Sequence, residues 1–174
     1  MDEQTWTQQT PYGPISVSAG RDGVRALRFE TRSRKPPRAR RNGVKDAPPA
    51  GFRRIARRLD HYFAGDANAL EDIAIDLSEL DNEFQLSVLK TLRELVGPGD
   101  TISYGELAAA VGHPGAARAV GTVMANNPIP IIIPCHRVLA SDGTLGGYGG
   151  GLDMKRELLR IEGAEIKESK RRPK

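Results

Sequence analysis

Cysteine is almost absent: the 174 residues contain one, Cys135, along with one tryptophan and only three histidines. A single thiol excludes an internal disulfide and any zinc site built from several cysteines. His61, His113 and His136 are too scattered in sequence to suggest a metal cluster. Aromatic residues are sparse at 5%. No apolar run approaches the ~18 residues of a membrane span, and Met1-Asp2-Glu3-Gln4 is acidic and polar, unlike a secretory leader. No internal repeat is evident. These absences predict a protein without metal or cofactor and without a membrane partner. They place it in the cytoplasm, where reducing conditions keep a lone thiol free.

What is present begins with apolar residues at 39%, enough for a core. Lys and Arg number 26 against 22 Asp and Glu, a net charge of +4. The basic excess favours a polyanionic partner, although part of it lies in segments with the composition of disorder. The length fits one compact domain or two small ones.

Along the chain, residues 5–30 alternate like a small antiparallel sheet, with strands at 5–10, 15–18 and 24–29 and a turn at Asp22-Gly23. Residues 31–50 are basic and Pro-rich and cannot bury enough apolar surface to fold, so they read as a mobile loop. That loop either lies solvated or brushes a phosphate backbone. Phe52, Ile55, Ala56, Leu59, Tyr62 and Phe63 recur at helical spacing over 51–64, with Gly65 as terminator. Residues 73–77 read as one more strand. Together these form an N-terminal α/β domain over 1–80 with no evident chemistry.

From 81 to 166 the pattern is mostly helical. Phe84, Val88, Leu89, Leu92, Leu95 and Val96 line one face of a helix that stops at Gly97-Pro98-Gly99. Ser103 and Glu106 form a capping box for a helix over 104–111, and Gly112 ends it. Pro114 then sits near the start of a third helix, 115–126. Helix, short Gly/Pro turn, helix is a helix-turn-helix arrangement. Its second member is crowded with Ala and Gly and has one long cation, Arg118. Two readings are open: a sequence-tolerant minor-groove wedge, or a packed helix with one snorkelling arginine. A Gly-rich loop over 141–151 lacks the Lys-Ser/Thr ending of a phosphate loop. Its glycines either let backbone N–H groups approach a ligand, with Tyr148 as a wall, or simply give flexibility. The last helix, 153–162, has Met154, Leu158 and Ile161 on one face. A basic tail over 167–174 reads as disordered.

The densest chemistry lies in Asn127-Pro128-Ile129-Pro130-Ile131-Ile132-Ile133-Pro134-Cys135-His136-Arg137. Prolines and β-branched residues predict a stiff, extended, buried rail ending in a thiol. A free thiol with pKa about 8.5 is only a few per cent thiolate at neutral pH. His136 and Arg137 could stabilise the anion, and Glu162 is a candidate to fix the tautomer of His136. A lone buried cysteine is otherwise usually inert. Flanked by Pro134 and His136-Arg137, this one reads as a nucleophile.

With these motifs in place, the chain resembles the O6-alkylguanine-DNA alkyltransferases. The similarity is carried by Ile102-Ser103-Tyr104, Ala116-Ala117-Arg118-Ala119-Val120-Gly121, Asn127-Pro128-Ile129-Pro130, Ile133-Pro134-Cys135-His136-Arg137-Val138, Gly147-Tyr148, Gly150-Gly151-Leu152 and Glu162-Gly163. The resemblance implies an α+β fold: a small ribonuclease-H-like α/β domain, then a mostly helical domain with a winged helix-turn-helix-like motif. It implies a DNA repair protein that takes the alkyl group of O6-alkylguanine, and of O4-alkylthymine by the same chemistry, onto its own cysteine. The partner implied is double-stranded DNA bound through the minor groove. A monomer is expected, with cooperative assembly on DNA as the alternative.

The same resemblance implies roles. Cys135 accepts the alkyl group; His136 takes the thiol proton through a water; Glu162 orients the imidazole; Asn127 braces the turn. Arg118 replaces the flipped base, and Tyr104 pushes on its phosphate and donates to the guanine ring. The carbonyls of Cys135 and Val138 accept from the guanine amino group, and Tyr148 and Gly149 close the pocket. Arg137, Ala117 and Met124 complete the DNA- and base-binding set. Because a thioether has no ready leaving group, the protein is expected to act once per molecule.

Two departures stand out. Gly149 occupies a position where many members carry Ser, and the insertion over 31–50 is unusually long and basic. Some relatives bind zinc in the N-terminal domain through cysteines that this chain lacks. Two rival classes remain: a DNA-binding module with an incidental thiol, and a Cys-His hydrolase, which would turn over repeatedly through an acyl-enzyme.

Overall fold

Thr10-Pro11-Tyr12-Gly13 reverses the chain at its first hairpin: Thr10 Oγ1 donates to the Gly13 carbonyl (2.6 Å), and Gly13 takes φ +106°. Three antiparallel strands follow in order in this computed structural model, β1 Gln4–Thr10, β2 Gly13–Ala19 and β3 Val24–Phe29. The structure describes residues 4–30 and 47–167. Most of the basic loop expected at 31–50 and nearly all of the tail expected at 167–174 lie outside the described residues.

The chain divides into two compact units, Met1–Glu79 and Leu80–Lys174. In the first, strand alternation puts Ile15 and Val17 inside, and Leu27 and Val24 join them on either side of the register shift at Ser18/Ala19. Helix α1 (Arg53–Phe63) buries Ile55, Ala56, Leu59 and Tyr62, while Arg53, Arg54 and Arg57 face solvent. Gln8 on β1 is buried and donates through Nε2 to the Ala56 carbonyl (3.0 Å), tying sheet to helix.

Gly23 has a second use beyond the turn. A Cβ there would lie 2.6 Å from the carbonyl carbon and oxygen of Ala74. Its absence lets that segment lie alongside β3 and make the single parallel bridge Val24–Ile75. The strand expected over 73–77 is therefore reduced to one bridge. Its extension is cut short because Asp76 Oδ1 accepts the Ser78 N–H (2.9 Å) and bends the chain away.

The second unit opens with α2 (Glu83–Leu95), whose N-cap Asn82 accepts from the Gln85 N–H. Val88, Leu89 and Leu92 are fully buried and Val96 nearly so, but Leu95 is 58% exposed, so it does not belong to the inward face expected for it. The capping box of Ser103 and Glu106 starts α3 (Tyr104–Ala110). The next helix, α4 (Ala117–Ala125), starts two residues later than the sequence pattern suggests. Pro114 and Gly115 belong to the turn, where Gly115 sits at φ +92°. Strands β4 (Ile102–Ser103) and β5 (Val138–Leu139) pair in parallel, and α5 (Leu152–Ile161) closes the unit.

The isoleucine rail is buried but not extended. Ile133 N–H donates back to the Ile129 carbonyl (2.9 Å), Pro130 bridges Ile133, and Ile131 takes φ +73°. A β-branched residue there is strained by about 1–3 kcal/mol. Pro134 then makes an inverse γ-turn, with Cys135 N–H donating to Ile133 O (2.8 Å). The prolines stiffen the segment as expected, but they stiffen a reversal.

Replacing Ala by Gly ordinarily destabilises a chain. At position 131 the sign should invert: Ile131→Gly should be more stable than Ile131→Ala by about 1 kcal/mol, because only glycine takes positive φ freely. Urea midpoints of the two variants test this; the ordinary order would show that the backbone there is relaxed.

Candidate active site

The parallel pairing of β4 with β5 assembles the site. Ile102 is matched to Val138 and Ser103 to Leu139, so Tyr104, next in sequence, is carried to the stretch that follows Cys135. Helix α5 packs on the 3₁₀ turn Cys135–Arg137. Asn127 holds the reversal closed: its Nδ2 donates to Ile133 O (2.9 Å), and its Oδ1 accepts the Ile129 N–H (3.0 Å).

Glu162, which caps α5, is sealed from solvent and accepts from both basic neighbours of the cysteine. His136 Nε2 lies 2.8 Å from Oε1, Arg137 Nε 2.8 Å from Oε2, and Arg137 Nη2 3.0 Å from Oε1. Arg137 Nη1 also donates to the Val96 carbonyl (2.6 Å). Arg137 is 3% exposed, so its expected places as an anion stabiliser and DNA contact do not hold; its guanidinium is consumed by Glu162 and Val96.

A carboxylate accepts only, so the proton of the imidazole sits on Nε2 and leaves Nδ1 as the free base. Nδ1 is buried and has no hydrogen-bond partner among the described residues. Burial pushes His136 below its usual range, and although Glu162 pulls upward, the ring stays neutral at pH 7. Burial alone would raise Glu162, but the His136 and Arg137 contacts outweigh it and hold its carboxyl at about 2. With His136 neutral, Arg137 is the cation responsible at physiological pH.

Cys135 is 5% exposed. Burial raises its thiol above the ordinary value, opposed by a hydrogen bond from Asn127, by the charge of Lys155 and by backbone N–H groups. Lys155 was not anticipated. It is fully buried, and its ammonium donates to the carbonyls of Val138 (2.6 Å), Gly147 (3.3 Å) and Leu145. Desolvation, partly offset by Cys135, brings it down to about 8. The signal was available: Lys155, Leu158, Leu159 and Glu162 form an i, i+3, i+4, i+7 stripe, and that stripe is the buried face of α5. The Met154-Leu158-Ile161 face is only partly inside.

The remaining residues fall in two places. Tyr104 is half-buried between two glycines: a Cβ on Gly146 would come within 3.3 Å of its hydroxyl, and one on Gly121 within 4.0 Å of its ring. Burial, then the charge of Cys135, raises its phenol and keeps it protonated. Val138 is buried, and its carbonyl already holds Lys155, while the carbonyl of Cys135 accepts the Val138 N–H. Each of these carbonyls therefore has one lone pair left. On α4, Arg118 is exposed and its guanidinium has no hydrogen bond or ion pair among the described residues, Ala117 is half-buried and Met124 faces inward. Tyr148 is half-buried and Gly149 exposed; a Cβ on Gly149 meets nothing within 4 Å, so no crowding demands glycine there.

Acid should undo the cluster in two windows. The neutral preference of His136 stabilises the fold above its ordinary 6.5 and is lost as pH falls below that. The depressed Glu162 contributes fully above 4.5 and loses its contribution towards about 2. In Glu162→Gln the lower window should flatten, and stability at pH 7 should fall by about 3–5 kcal/mol because Arg137 is left buried without a counter-charge. Urea titrations from neutral to acid pH measure both; an unchanged midpoint at pH 7 would show the carboxylate to be dispensable.

Comparison with known proteins gives the family of the chain. Residues 83–164 match the family model of the 6-O-methylguanine DNA methyltransferase, DNA binding domain. A methylated-DNA–protein-cysteine methyltransferase of Methanosarcina acetivorans is 38% identical over 156 residues, 90% of this chain and 96% of that protein. One from Mycolicibacterium paratuberculosis is 43% identical over 157 residues, 90% of each. The crystal structure of Mycobacterium tuberculosis OGT in complex with DNA superposes with a TM-score of 0.74 at 38% identity, covering 91% of this chain and 92% of that one. No helix among the described residues is long and apolar enough to cross a membrane. By sequence, extent and fold, this chain belongs to the methylated-DNA–protein-cysteine methyltransferase family.

Proposed function

We propose that this protein repairs DNA by transferring the alkyl group of O6-alkylguanine irreversibly to the sulfur of Cys135, once per molecule. The observation that carries the reading is the buried chain Glu162–His136 beside the only cysteine, with a free basic nitrogen at Nδ1. In this reading Nδ1 takes the thiol proton through an intervening water. The sulfur lone pair attacks the alkyl carbon, the carbon–oxygen bond breaks, and its electron pair returns to guanine. Tyr104, kept as a phenol, supplies the proton that neutralises the departing base. O4-alkylthymine presents the same alkyl carbon and fits the same step.

The target oxygen of a stacked base cannot reach a buried sulfur, so the base has to leave the helix, at a cost of a few kcal/mol. Arg118, exposed among small residues on α4 with a guanidinium unpartnered among the described residues, suits the gap left in the stack, with Ala117 beside it. Helices α3 and α4 then act as the helix-turn-helix of a winged domain, with α4 in the minor groove. Met124, Tyr148, Gly149 and the second lone pairs of the Cys135 and Val138 carbonyls would form the walls around the base. The first unit fits the ribonuclease-H-like domain of the family. A monomer in the cytoplasm is the simplest setting.

Incubation with DNA containing O6-methylguanine should add one methyl to the intact mass, located on Cys135, with no second event. Cys135→Ala should lose transfer and retain DNA binding; DNA binding without transfer by the intact chain would reduce the protein to a binding module. Repeated turnover on an ester would point to a hydrolase. Arg118→Ala should slow transfer from duplex DNA about tenfold to a hundredfold, matching a flipping cost of a few kcal/mol. Transfer from the free alkylated base should be unaffected, since no stack has to be opened; equal slowing of both would remove Arg118 from base extrusion.

A further inference from the structure

We propose that the outer face of α1 is a phosphate-binding surface, with which the first unit holds the DNA backbone through Arg53 and Arg57 regardless of base sequence. This rests on DNA being the partner of the chain, and it gives a DNA contact to the unit that carries none of the transfer chemistry. Helix α1 contains four arginines and no lysine, all within its first two turns: Arg53, Arg54, Arg57 and Arg58. A guanidinium presents a planar fork of donors that matches phosphate oxygens. Burial does not call for these charges, because Ile55, Ala56, Leu59 and Tyr62 form the inward face.

Two of the four are already engaged. Arg54 Nη2 lies 2.8 Å from Asp72 Oδ2, and Arg58 Nη2 lies 2.5 Å from the same oxygen, so one carboxylate answers two cations. Asp60, the only acid in the helix and three residues beyond Arg57, accepts instead from Gln8 Nε2 (2.5 Å). Arg53 and Arg57 are exposed, and their guanidiniums have no hydrogen bond or ion pair among the described residues. One turn apart on the same side of the helix, their side chains leave it about 5–6 Å from one another. Both stand open to solvent, which suits a run of backbone phosphates better than a small enclosed anion.

The placement works against the helix itself. Acids favour the N-terminal end of a helix dipole and cations the C-terminal end. Helices α2 and α5 follow that rule, with Glu83 and Arg93, and Asp153 and Arg160, in their first and last turns, and α3 begins with Glu106. Helix α1 has no acid in its first turn and no side-chain cap, and its arginines crowd the positive end. Among the described helices the other that lacks both is α4, which the proposed reaction puts in the minor groove. An anion bound along Arg53 and Arg57 would relieve the repulsion at that end of α1.

Titration of the full chain with lesion-free duplex DNA over a range of salt tests the proposal. Each phosphate contact contributes about 0.9 to the slope of log affinity against log salt. Arg53→Gln/Arg57→Gln should therefore reduce the slope by about 2 and weaken binding about tenfold to a hundredfold at about 0.1 M salt, with the deficit closing as salt is raised. Arg53→Lys/Arg57→Lys, which keeps the charge, should recover most of the slope. Arg21→Gln/Arg28→Gln removes the same charge from exposed positions elsewhere in the first unit and should leave the slope nearly unchanged. An unmoved slope in the α1 variant, or an equal fall in both glutamine variants, overturns the proposal.

The urea midpoint of Arg53→Gln/Arg57→Gln should hold or rise, because cations leave the positive helix end. Its methyl transfer at saturating DNA should match the unmutated chain, since the transfer residues all belong to the second unit. A salt slope that depends on α1 in a chain that transfers nothing would sink the assigned activity alone. Normal transfer with an unmoved slope would sink the α1 surface alone.

Discussion

A carboxylate with no access to water must be answered by donors, and the second unit is arranged around meeting that demand at Glu162. His136 and Arg137 supply them from the residues directly after Cys135, and Arg137 spends a further N–H on Val96, just past the end of α2. Three segments distant in sequence, the end of α2, the cysteine turn and the end of α5, are thus bound through one side chain. Gly99 completes the approach: it sits at φ +85°, and a Cβ there would lie 3.1 Å from the Glu162 carbonyl oxygen. Buried ion pairs contribute little net stability against an apolar replacement. What this one contributes is position and protonation state. With Arg137 neutralising Glu162, the imidazole can donate to the carboxylate and still remain an uncharged base.

The backbone before the cysteine complements this. Ile131 holds a strained positive φ inside a reversal that Asn127 closes with both ends of its amide. Such strain persists only where the surroundings over-determine it. Here the surroundings are three adjacent buried isoleucines and the proline that starts the next turn. The sulfur therefore sits at the end of a segment whose entry and exit are both fixed, and the preorganised position is maintained by packing rather than by contact with a ligand.

Much of this was readable in the sequence, and the failures have causes. The hairpin at Asp22-Gly23 and the capping box at Ser103 and Glu106 follow from local chemistry, the pairing of His136 with Glu162 from the need of a basic imidazole for an acceptor, and all three are seen. Arg137 was misplaced because arginine beside a reactive thiol in a basic chain suggests an anion outside; which way it points depends on Glu162, which lies 25 residues away. The isoleucine run looked extended because β-branching and proline both favour that geometry locally. The reversal is imposed instead by the amide of Asn127. Leu95 is exposed because the helix ends there, so its face no longer has a neighbour. Lys155 was passed over because a lysine in a helical pattern reads as surface, although its spacing from Leu158, Leu159 and Glu162 placed it on the inner stripe.

The single use proposed above puts a particular demand on the nucleophile. Each alkyl group captured removes one protein molecule from service, so reaction with the wrong electrophile is as costly as reaction with the right one. A permanently ionised, open thiolate would meet every soluble alkylating agent first. Cys135 is nearly closed off, and burial favours its thiol form despite Asn127 and Lys155. In the reaction proposed above, ionisation needs the free nitrogen of His136, and attack needs an alkyl carbon brought to the sulfur. In that proposal an entering base would exclude water, which would strengthen every electrostatic interaction of the forming thiolate. On that proposal the sulfur is most nucleophilic when an alkylated base occupies the site, and selectivity follows from the same burial that favours the resting thiol.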